Sequence, residues 1–160
     1  SGLTILIVRD ELLDRSRIDT PTTYNWKIQS ENDSMINTPT TYSIYMAGLV
    51  FEWLIGCGGL NEIEKLNIKK SKLLYDYIDN SDFYYNEIDN NYRSRMNVPF
   101  RIRDDELTMK FVEEAESAGL YQLKGHRLVG GLRASIYNAM PIEGIEELLN
   151  FMNDFEKNNK

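Results

Sequence analysis

The residues best suited to chemistry lie close together, in residues 124–133. The chain is acidic, with a formal net charge of −7, yet its only histidine falls here among three basic side chains, in the order Lys124, His126, Arg127 and Arg133. Two adjacent glycines separate Arg127 from Arg133. Arginine presents a planar fork of donors that fits carboxylate or phosphate, and glycine lets the backbone approach a ligand closely. The pattern favours a site for a small anion; a surface loop whose arginines only keep it solvated is the alternative.

Arg133 begins a stretch, Arg133 to Asn138, whose alternation predicts a β-strand. Arg133 then shares one face with Ser135 and Tyr137, while the intervening residues share the other face. A charged side chain in a strand needs a partner if it is buried. In one interpretation that partner is a bound anion. In the other, Arg133 lies in water at the strand edge or pairs with a structural carboxylate.

Two further pairs of residues could bind an anion. His126 and Arg127 precede the glycines, although a lone exposed histidine is more often an ordinary surface residue. Asn37 and Thr38 stand before Pro39 and a predicted helix. The first amides of a helix lack partners within it and favour anions. The alternative for this second pair is a plain N-cap, a common role of asparagine and threonine.

The composition excludes several classes of function. A chain of 160 residues, 42% hydrophobic and 27% charged, is typical of a globular domain. One histidine and one cysteine cannot build a metal cluster, and Cys57 has no partner for a disulfide. The use of a single cysteine indicates a reducing compartment, and the apolar run before Cys57 and the glycines after it predict a buried thiol. The acidic balance argues against general binding to nucleic acid or anionic membranes, and no apolar run approaches the roughly 20 residues that span a bilayer.

The sequence of the first 59 residues predicts four elements, and the Asn37–Thr38 pair lies at the end of the third. In chain order they are a buried strand at Leu3 to Val8, a helical turn at Arg9 to Leu13, a long excursion with little regular structure at 14–39, and a helix from Thr40 to Ile55. The helix should pack one apolar face, formed by Ile44, Ala47, Gly48, Val50, Phe51 and Leu54. Because the chain opens directly on a strand, we expect it to be a piece of a longer protein.

Residues 60–160 predict a small α+β domain that carries the basic stretch. Strands are predicted at Phe83 to Tyr85, Arg95 to Arg101, Tyr121 to Leu123 and Arg133 to Asn138. Helices are predicted at Leu60 to Ile78, from Asp104 with its acids in the first turn to Gly119, and after Pro141 with a frayed tail. In the second strand Pro99 disfavours a central position in the sheet.

Four motifs recur in a known order: Ser1-Gly2-Leu3-Thr4-Ile5, Asn37-Thr38-Pro39-Thr40-Thr41, Arg93-Ser94-Arg95-Met96-Asn97-Val98-Pro99-Phe100, and Lys124-Gly125-His126-Arg127-Leu128-Val129-Gly130-Gly131-Leu132-Arg133-Ala134-Ser135-Ile136-Tyr137-Asn138-Ala139-Met140. This order and its rough spacing resemble the C-terminal portion of the phosphoserine aminotransferase family, whose members depend on pyridoxal phosphate (PLP). The motifs span nearly the whole chain, and four together are more specific than any one alone.

The resemblance implies an α/β fold, the PLP transferase fold type I. Residues 1–59 would be the C-terminal edge of the large PLP-binding domain, with an inter-subunit loop and a connecting helix. Residues 60–160 would be the small C-terminal α+β domain. The resemblance also implies a cytoplasmic homodimer that acts in serine and pyridoxine biosynthesis on small phosphorylated amino and keto acids and on glutamate, without nucleic-acid, membrane or metal partners.

The implied reaction interconverts 3-phosphohydroxypyruvate and glutamate with phosphoserine and 2-oxoglutarate. By resemblance, Arg133 holds the substrate α-carboxylate, and His126 and Arg127 hold its phosphate. Asn37 and Thr38 reach the PLP phosphate of the partner subunit. The arrangement is physically reasonable because arginine supplies a fixed charge and imidazole a further donor.

No lysine that binds PLP is recognisable in the sequence, so the 160-residue chain alone is expected to be inactive. Two alternatives stay open. The first is a non-catalytic α+β domain that senses a small phosphorylated metabolite. The second is a related PLP enzyme that acts on a different acid.

Overall fold

The chain forms two compact units. A computed structural model describes residues 2–160, so the first residue of the Ser1–Ile5 motif lies outside the described part. The first unit extends to Gly56, and the second is Cys57–Lys160. The division falls three residues before the one predicted from the sequence.

The first unit is helical. Its elements are two 3-10 helices, Asp10–Arg15 and Thr22–Tyr24, then α1, Trp26–Glu31, and α2, Thr41–Gly56. The predicted helical turn and main helix are therefore confirmed to within about two residues at each end. The excursion at 14–39 contains α1, which its polar sequence did not predict. Asn25 is the N-cap of α1, because its side-chain oxygen accepts a hydrogen bond from Ile28 N at 3.2 Å.

The predicted buried strand from Leu3 to Val8 is wrong. These residues have no regular secondary structure, and their side chains are largely exposed, Ile7 to 95%. A strand needs a neighbouring strand to satisfy its backbone amides and carbonyls. Among the described residues of the first unit there is no strand. The apolar run therefore lacks the partner that its sequence pattern requires.

The predicted packed face of α2 is not buried either. No residue of this helix is buried; Phe51 and Trp53, for example, are 47% and 42% exposed. Its apolar residues are distributed around the helix, a pattern typical of helices that are covered on all sides. Cys57, predicted to be buried, is exposed, because it lies in the short link that follows α2.

No single helix in residues 2–160 is long and apolar enough to cross a membrane. Only α2 combined with the next helix, Gly59–Asp79, has the length and apolar composition that a membrane span requires, and the two are separated by a break.

The second unit is an antiparallel sheet covered by helices. Its elements are α3, Gly59–Asp79; β1, Tyr84–Tyr85; a 3-10 helix, Asn90–Tyr92; β2, Asn97–Ile102; α4, Leu107–Ser117; β3, Leu132–Ser135; and α5, Ile142–Asn159. The strand order is β1-β2-β3, and both pairs are antiparallel. The small α+β arrangement predicted for this part of the chain is confirmed.

Alternation along β2 and β3 gives the sheet one buried face and one open face. The buried face carries Val98, Phe100, Ile102, Leu132 and Ala134. It packs with the apolar stripes of the helices, chiefly Leu74, Ile78, Phe111, Ala115, Ile145, Leu148, Met152 and Phe155. The open face carries the intervening residues, among them the candidate Arg133. The core thus fixes the strand on which that side chain stands.

Pro99 lies in the central strand, contrary to the expectation that it would disfavour such a position. Pro99 pairs with Arg133 of β3, but Arg133 N donates away from β2, to Leu123 O at 2.8 Å. The Pro99 nitrogen therefore faces the β1 side of the sheet. There β1 has already ended at Tyr85, and the side chain of Asn86 donates to Pro99 O instead. The missing amide hydrogen of proline costs no ladder bond at this place.

Three smaller predictions for this unit are wrong. Tyr121 to Leu123 do not form a strand, because Gln122 has a left-handed φ of 65°. The acids 104–106 precede α4 rather than occupying its first turn. The C-terminal tail is helical up to Asn159, where the Asn159 side chain donates to Phe155 O at 2.7 Å.

Candidate functional site

The basic stretch forms a closed loop at the start of β3. Its base is held by Arg133 N, which donates to Leu123 O at 2.8 Å, and by Gly125 N, which donates to Gly131 O at 2.9 Å. A Cβ on Gly125 would collide with the Gly130 carbonyl. Only glycine therefore allows the two sides of the loop to approach this closely.

The tip of the loop presents His126 and Arg127 to solvent. His126 O accepts hydrogen bonds from Val129 N at 2.9 Å and Gly130 N at 2.8 Å. Leu128 N donates to the imidazole Nδ1 at 3.3 Å. Because Nδ1 accepts, a neutral imidazole must carry its proton on Nε2. The side chains of His126 and Arg127 are exposed and can meet a ligand without rearrangement of the loop.

The basic side chains of this stretch form no ion pairs within the described residues. Within residues 2–160, Lys124, His126, Arg127 and Arg133 form no ion pair with a carboxylate, whereas most other arginines do. An anionic ligand would therefore meet positive charge that no ion pair with these side chains already offsets.

Arg133 is half-buried, and one of its donors has no acceptor. Its Nε is inaccessible and unpartnered, one of two such side-chain atoms in the described chain; the other is Asn67 Oδ1. A buried donor left unpaired costs roughly 1–3 kcal/mol. The structure contradicts the alternative of a structural carboxylate, since no acid pairs with Arg133 among residues 2–160. A ligand carboxylate bound by the guanidinium would offset the charge of Arg133.

The open face beside Arg133 is polar. Asn97, opposite Ser135 in the register, donates to the Tyr137 hydroxyl at 3.1 Å. The Ser135 hydroxyl is 3.5 Å from Asn97 Oδ1. These contacts orient the face on which Arg133 stands, and they confirm the predicted alternation. The strand itself ends at Ser135, three residues before its predicted end at Asn138. Asn97 belongs to the third motif, to which the sequence assigned no chemistry.

Arg101 was not identified from the sequence. It lies on β2, on the same open face, and its Nη2 donates to Val129 O of the loop at 2.7 Å. Its Nε donates to Glu87 Oε2 at 3.2 Å. The signal was present, because alternation places Arg101 on the face of Pro99, which is the register partner of Arg133.

Lys70 was also missed. This lysine of α3 is fully buried, and its Nζ donates to Ile136 O, Tyr137 O and Met140 O at 3.3, 2.8 and 3.0 Å. It thereby holds the turn that follows β3. Burial lowers the pKa of the Lys70 ammonium below its ordinary value of 10.5. The helical spacing from Ile63 through position 70 to Leu74 placed it on the buried stripe, but its charge suggested an exposed residue.

Asn37 and Thr38 lie in the other unit, directly before α2. Both are exposed, and neither side chain makes a hydrogen bond within the described residues. The plain N-cap alternative is therefore not realised; the nearby Thr40 hydroxyl donates to Ser43 Oγ at 3.1 Å. The free amide and hydroxyl donors fit a phosphate chemically.

Comparisons with known proteins agree with this fold and identify a family. The sequence pattern of the family described as "Aminotransferase class-V" matches residues 1–148. A phosphoserine aminotransferase of Janthinobacterium sp. (strain Marseille) is 55% identical over 157 residues, which cover 98% of this chain and 43% of that protein. A phosphoserine aminotransferase of Marinomonas sp. (strain MWYL1) is 57% identical over 157 residues, which cover 98% of this chain and 44% of that protein.

The solved structures that this chain resembles are also phosphoserine aminotransferases. A phosphoserine aminotransferase from Bacillus circulans subsp. alkalophilus matches with a TM-score of 0.89 and 43% identity, over 96% of this chain and 43% of that one. A PLP-bound phosphoserine aminotransferase from Trichomonas vaginalis matches with a TM-score of 0.84 and 38% identity, over 91% of this chain and 42% of that one. The predicted fold class is confirmed.

The chain spans less than half the length of these relatives. The family pattern nevertheless covers most of its residues, and the matched region contains every candidate site residue. The chain belongs to the class-V aminotransferase family.

Proposed function

We propose that the complete protein is a phosphoserine aminotransferase that depends on PLP. It would interconvert 3-phosphohydroxypyruvate and glutamate with phosphoserine and 2-oxoglutarate. We further propose that it acts as a cytoplasmic homodimer. The observation that carries the proposal is the half-buried guanidinium of Arg133, which forms no hydrogen bond or ion pair with the described residues and directly follows the basic loop. Similarity to phosphoserine aminotransferases over 98% of the chain disfavours a non-catalytic sensor.

Each anion of the substrate would meet its own cations. Arg133 would bind the α-carboxylate, which all four substrates share, by a bidentate pair of hydrogen bonds. His126 and Arg127 would bind the phosphate at the far end of the substrate. With both ends held, the substrate cannot rotate, and its Cα–H bond keeps one orientation toward the cofactor.

Asn37 and Thr38 would hold the phosphate of PLP bound in the partner subunit. The free donors of these two side chains and the start of α2 support this assignment. PLP, when bound, supplies an electron sink for the negative charge that develops at the substrate Cα. The residues of this chain would bind and orient the substrate.

Replacing Arg127 with alanine should raise KM mainly for the phosphorylated substrates. Loss of a charge-assisted hydrogen bond costs roughly 1.5–3 kcal/mol, which corresponds to about a tenfold to hundredfold change. The KM for glutamate should change less, because a carboxylate carries less charge than a phosphate. Steady-state kinetics of the complete protein measure both values.

The matched control for this prediction is Leu128→Ala, since Leu128 is an exposed, uncharged residue of the same loop. It should leave both KM values near those of the wild type. An unchanged KM for phosphoserine in Arg127→Ala would show that the phosphate site is assigned wrongly.

A further inference from the structure

Arg101 connects the anion loop to the neighbouring strand. Its Nη2 donates to Val129 O at 2.7 Å, and its Nε donates to Glu87 Oε2 at 3.2 Å. The side chain is only 24% exposed, whereas that of Glu87 is 63% exposed. One donor of the guanidinium is thus anchored by an acid, while another holds a backbone carbonyl of the loop.

Of the two adjacent glycines of the loop, Gly131 makes room for this side chain. Gly130 and Gly131 have left-handed φ values of 74° and 64°. A Cβ on Gly131 would lie 3.0 Å from Arg101 Cγ and 3.0 Å from Phe100 O. The stem of Arg101 therefore packs directly against the glycine backbone, and its head can reach the carbonyl of Val129.

Apolar packing between this side of the loop and the sheet is incomplete. A cavity of about 90 Å³ lies between the loop and the sheet, lined by Tyr85, Glu87, Ile88, Pro99, Phe100, Arg101, Val129, Gly130 and Leu132. The side chains of Leu128 and Val129 are 81% and 63% exposed. Because apolar packing is incomplete here, the hydrogen bond from Arg101 joins the loop to β2 where side-chain packing does not.

We propose that Arg101 is a positioning residue that fixes the loop of His126 and Arg127 against β2. It thereby sets the spacing between this phosphate-binding pair and Arg133 and selects substrates that carry a phosphate opposite the carboxylate. The proposal rests on the proposed function. Arg101 acts through the loop because two of its donor groups are committed, and the Glu87 carboxylate largely offsets its charge.

The test compares Arg101→Met with Arg103→Met in the complete protein loaded with PLP. Arg103 is a matched control, because its Nε also donates to a backbone carbonyl, Asp82 O at 2.8 Å, but not one in the loop. Arg101→Met should raise the KM for phosphoserine about tenfold, as expected for loss of one charge-assisted hydrogen bond. The kcat at saturation and the KM for glutamate should change less than about twofold. The inhibition constant of inorganic phosphate should rise in parallel, which a general loss of stability would not produce.

A second variant keeps the test informative if Arg101→Met does not fold. Glu87→Gln leaves the loop contact in place and removes only the charge that anchors Arg101, so its KM for phosphoserine should rise about threefold. Equal KM values in the Arg101 and Arg103 variants would overturn the proposal, as would an equal rise for phosphoserine and glutamate in Arg101→Met. A wild-type protein that does not discriminate between phosphorylated and unphosphorylated acids would instead refute the proposed function, and this inference with it.

Discussion

Replacement of Arg133 by leucine should lower kcat/KM for phosphoserine and for glutamate alike, by on the order of a hundredfold to a thousandfold. Both amino acids carry the α-carboxylate that Arg133 is proposed to bind. Loss of one partner from a desolvated charge pair costs roughly 2–5 kcal/mol, and each 1.36 kcal/mol corresponds to a factor of ten in rate. Arg133→Lys should restore little of this loss, because an ammonium cannot replace the planar fork.

The equal effect on both substrates distinguishes Arg133 from Arg127. Steady-state kinetics of the complete protein provide the measurement, and Arg95→Leu serves as the control. Arg95 is an exposed arginine of the same unit that pairs with Glu64, and such pairs contribute little. A loss of kcat/KM confined to phosphoserine would mean that Arg133 binds the phosphate and not the carboxylate. Unchanged kinetics would contradict any role of Arg133 in binding.

Replacement of Lys70 by methionine should lower the free energy of unfolding of the second unit by about 2–5 kcal/mol. The change removes three hydrogen bonds and leaves the carbonyls of Ile136 and Met140 without the Lys70 donor, whereas Tyr137 O still accepts from Met140 N at 2.9 Å. A buried polar group without a partner costs roughly 1–3 kcal/mol. Relief of the buried, unpaired ammonium offsets part of this cost. Hydrogen exchange of amides in α3 and β3 reports the stability of this unit.

Lys72→Met is the matched control, because Lys72 lies on the same helix with its side chain 69% exposed, paired with Asp76. It should change the free energy of unfolding by no more than about 0.5 kcal/mol. A Lys70→Met variant as stable as this control would contradict the structural role of the three hydrogen bonds.

The contribution of Lys70 to the free energy of unfolding should also depend on pH. Burial lowers its pKa in the folded state, so between that lowered pKa and 10.5 the unfolded chain binds more protons than the folded chain. The penalty for the buried charge is fully present below the folded pKa and is released as the pH rises toward 10.5. The wild type should therefore gain stability relative to Lys70→Met through this alkaline window. A constant difference across the window would mean that the pKa is not lowered.

Local pattern was sufficient to predict much of the second unit. The alternation along Arg133, Ala134 and Ser135 gave the correct faces, and helical spacing gave α3, α4 and α5 with small errors at their ends. These features depend on which residues are apolar and on the period of the structure. The same information predicted the loop of glycines and cations, because their residue types are unusual in an acidic chain.

Features that depend on distant partners could not be predicted in this way. The run from Leu3 to Val8 has the composition of a buried strand, but pairing requires another strand. Lys70 is compatible with the core only because three carbonyls from residues 136–140 surround its ammonium group. Arg101 gains its contact from a loop 28 residues away. Each case depends on a tertiary contact that the local sequence does not encode.

The proposed transamination is tested most directly by the visible absorption spectrum of the complete protein with PLP, before and after addition of phosphoserine. We expect a band from the bound cofactor that shifts when phosphoserine is added and returns when 2-oxoglutarate follows. The Arg133→Leu variant should keep the band but require far more phosphoserine for the same shift. A protein that binds no PLP, or whose band does not respond to phosphoserine, would contradict the proposed function.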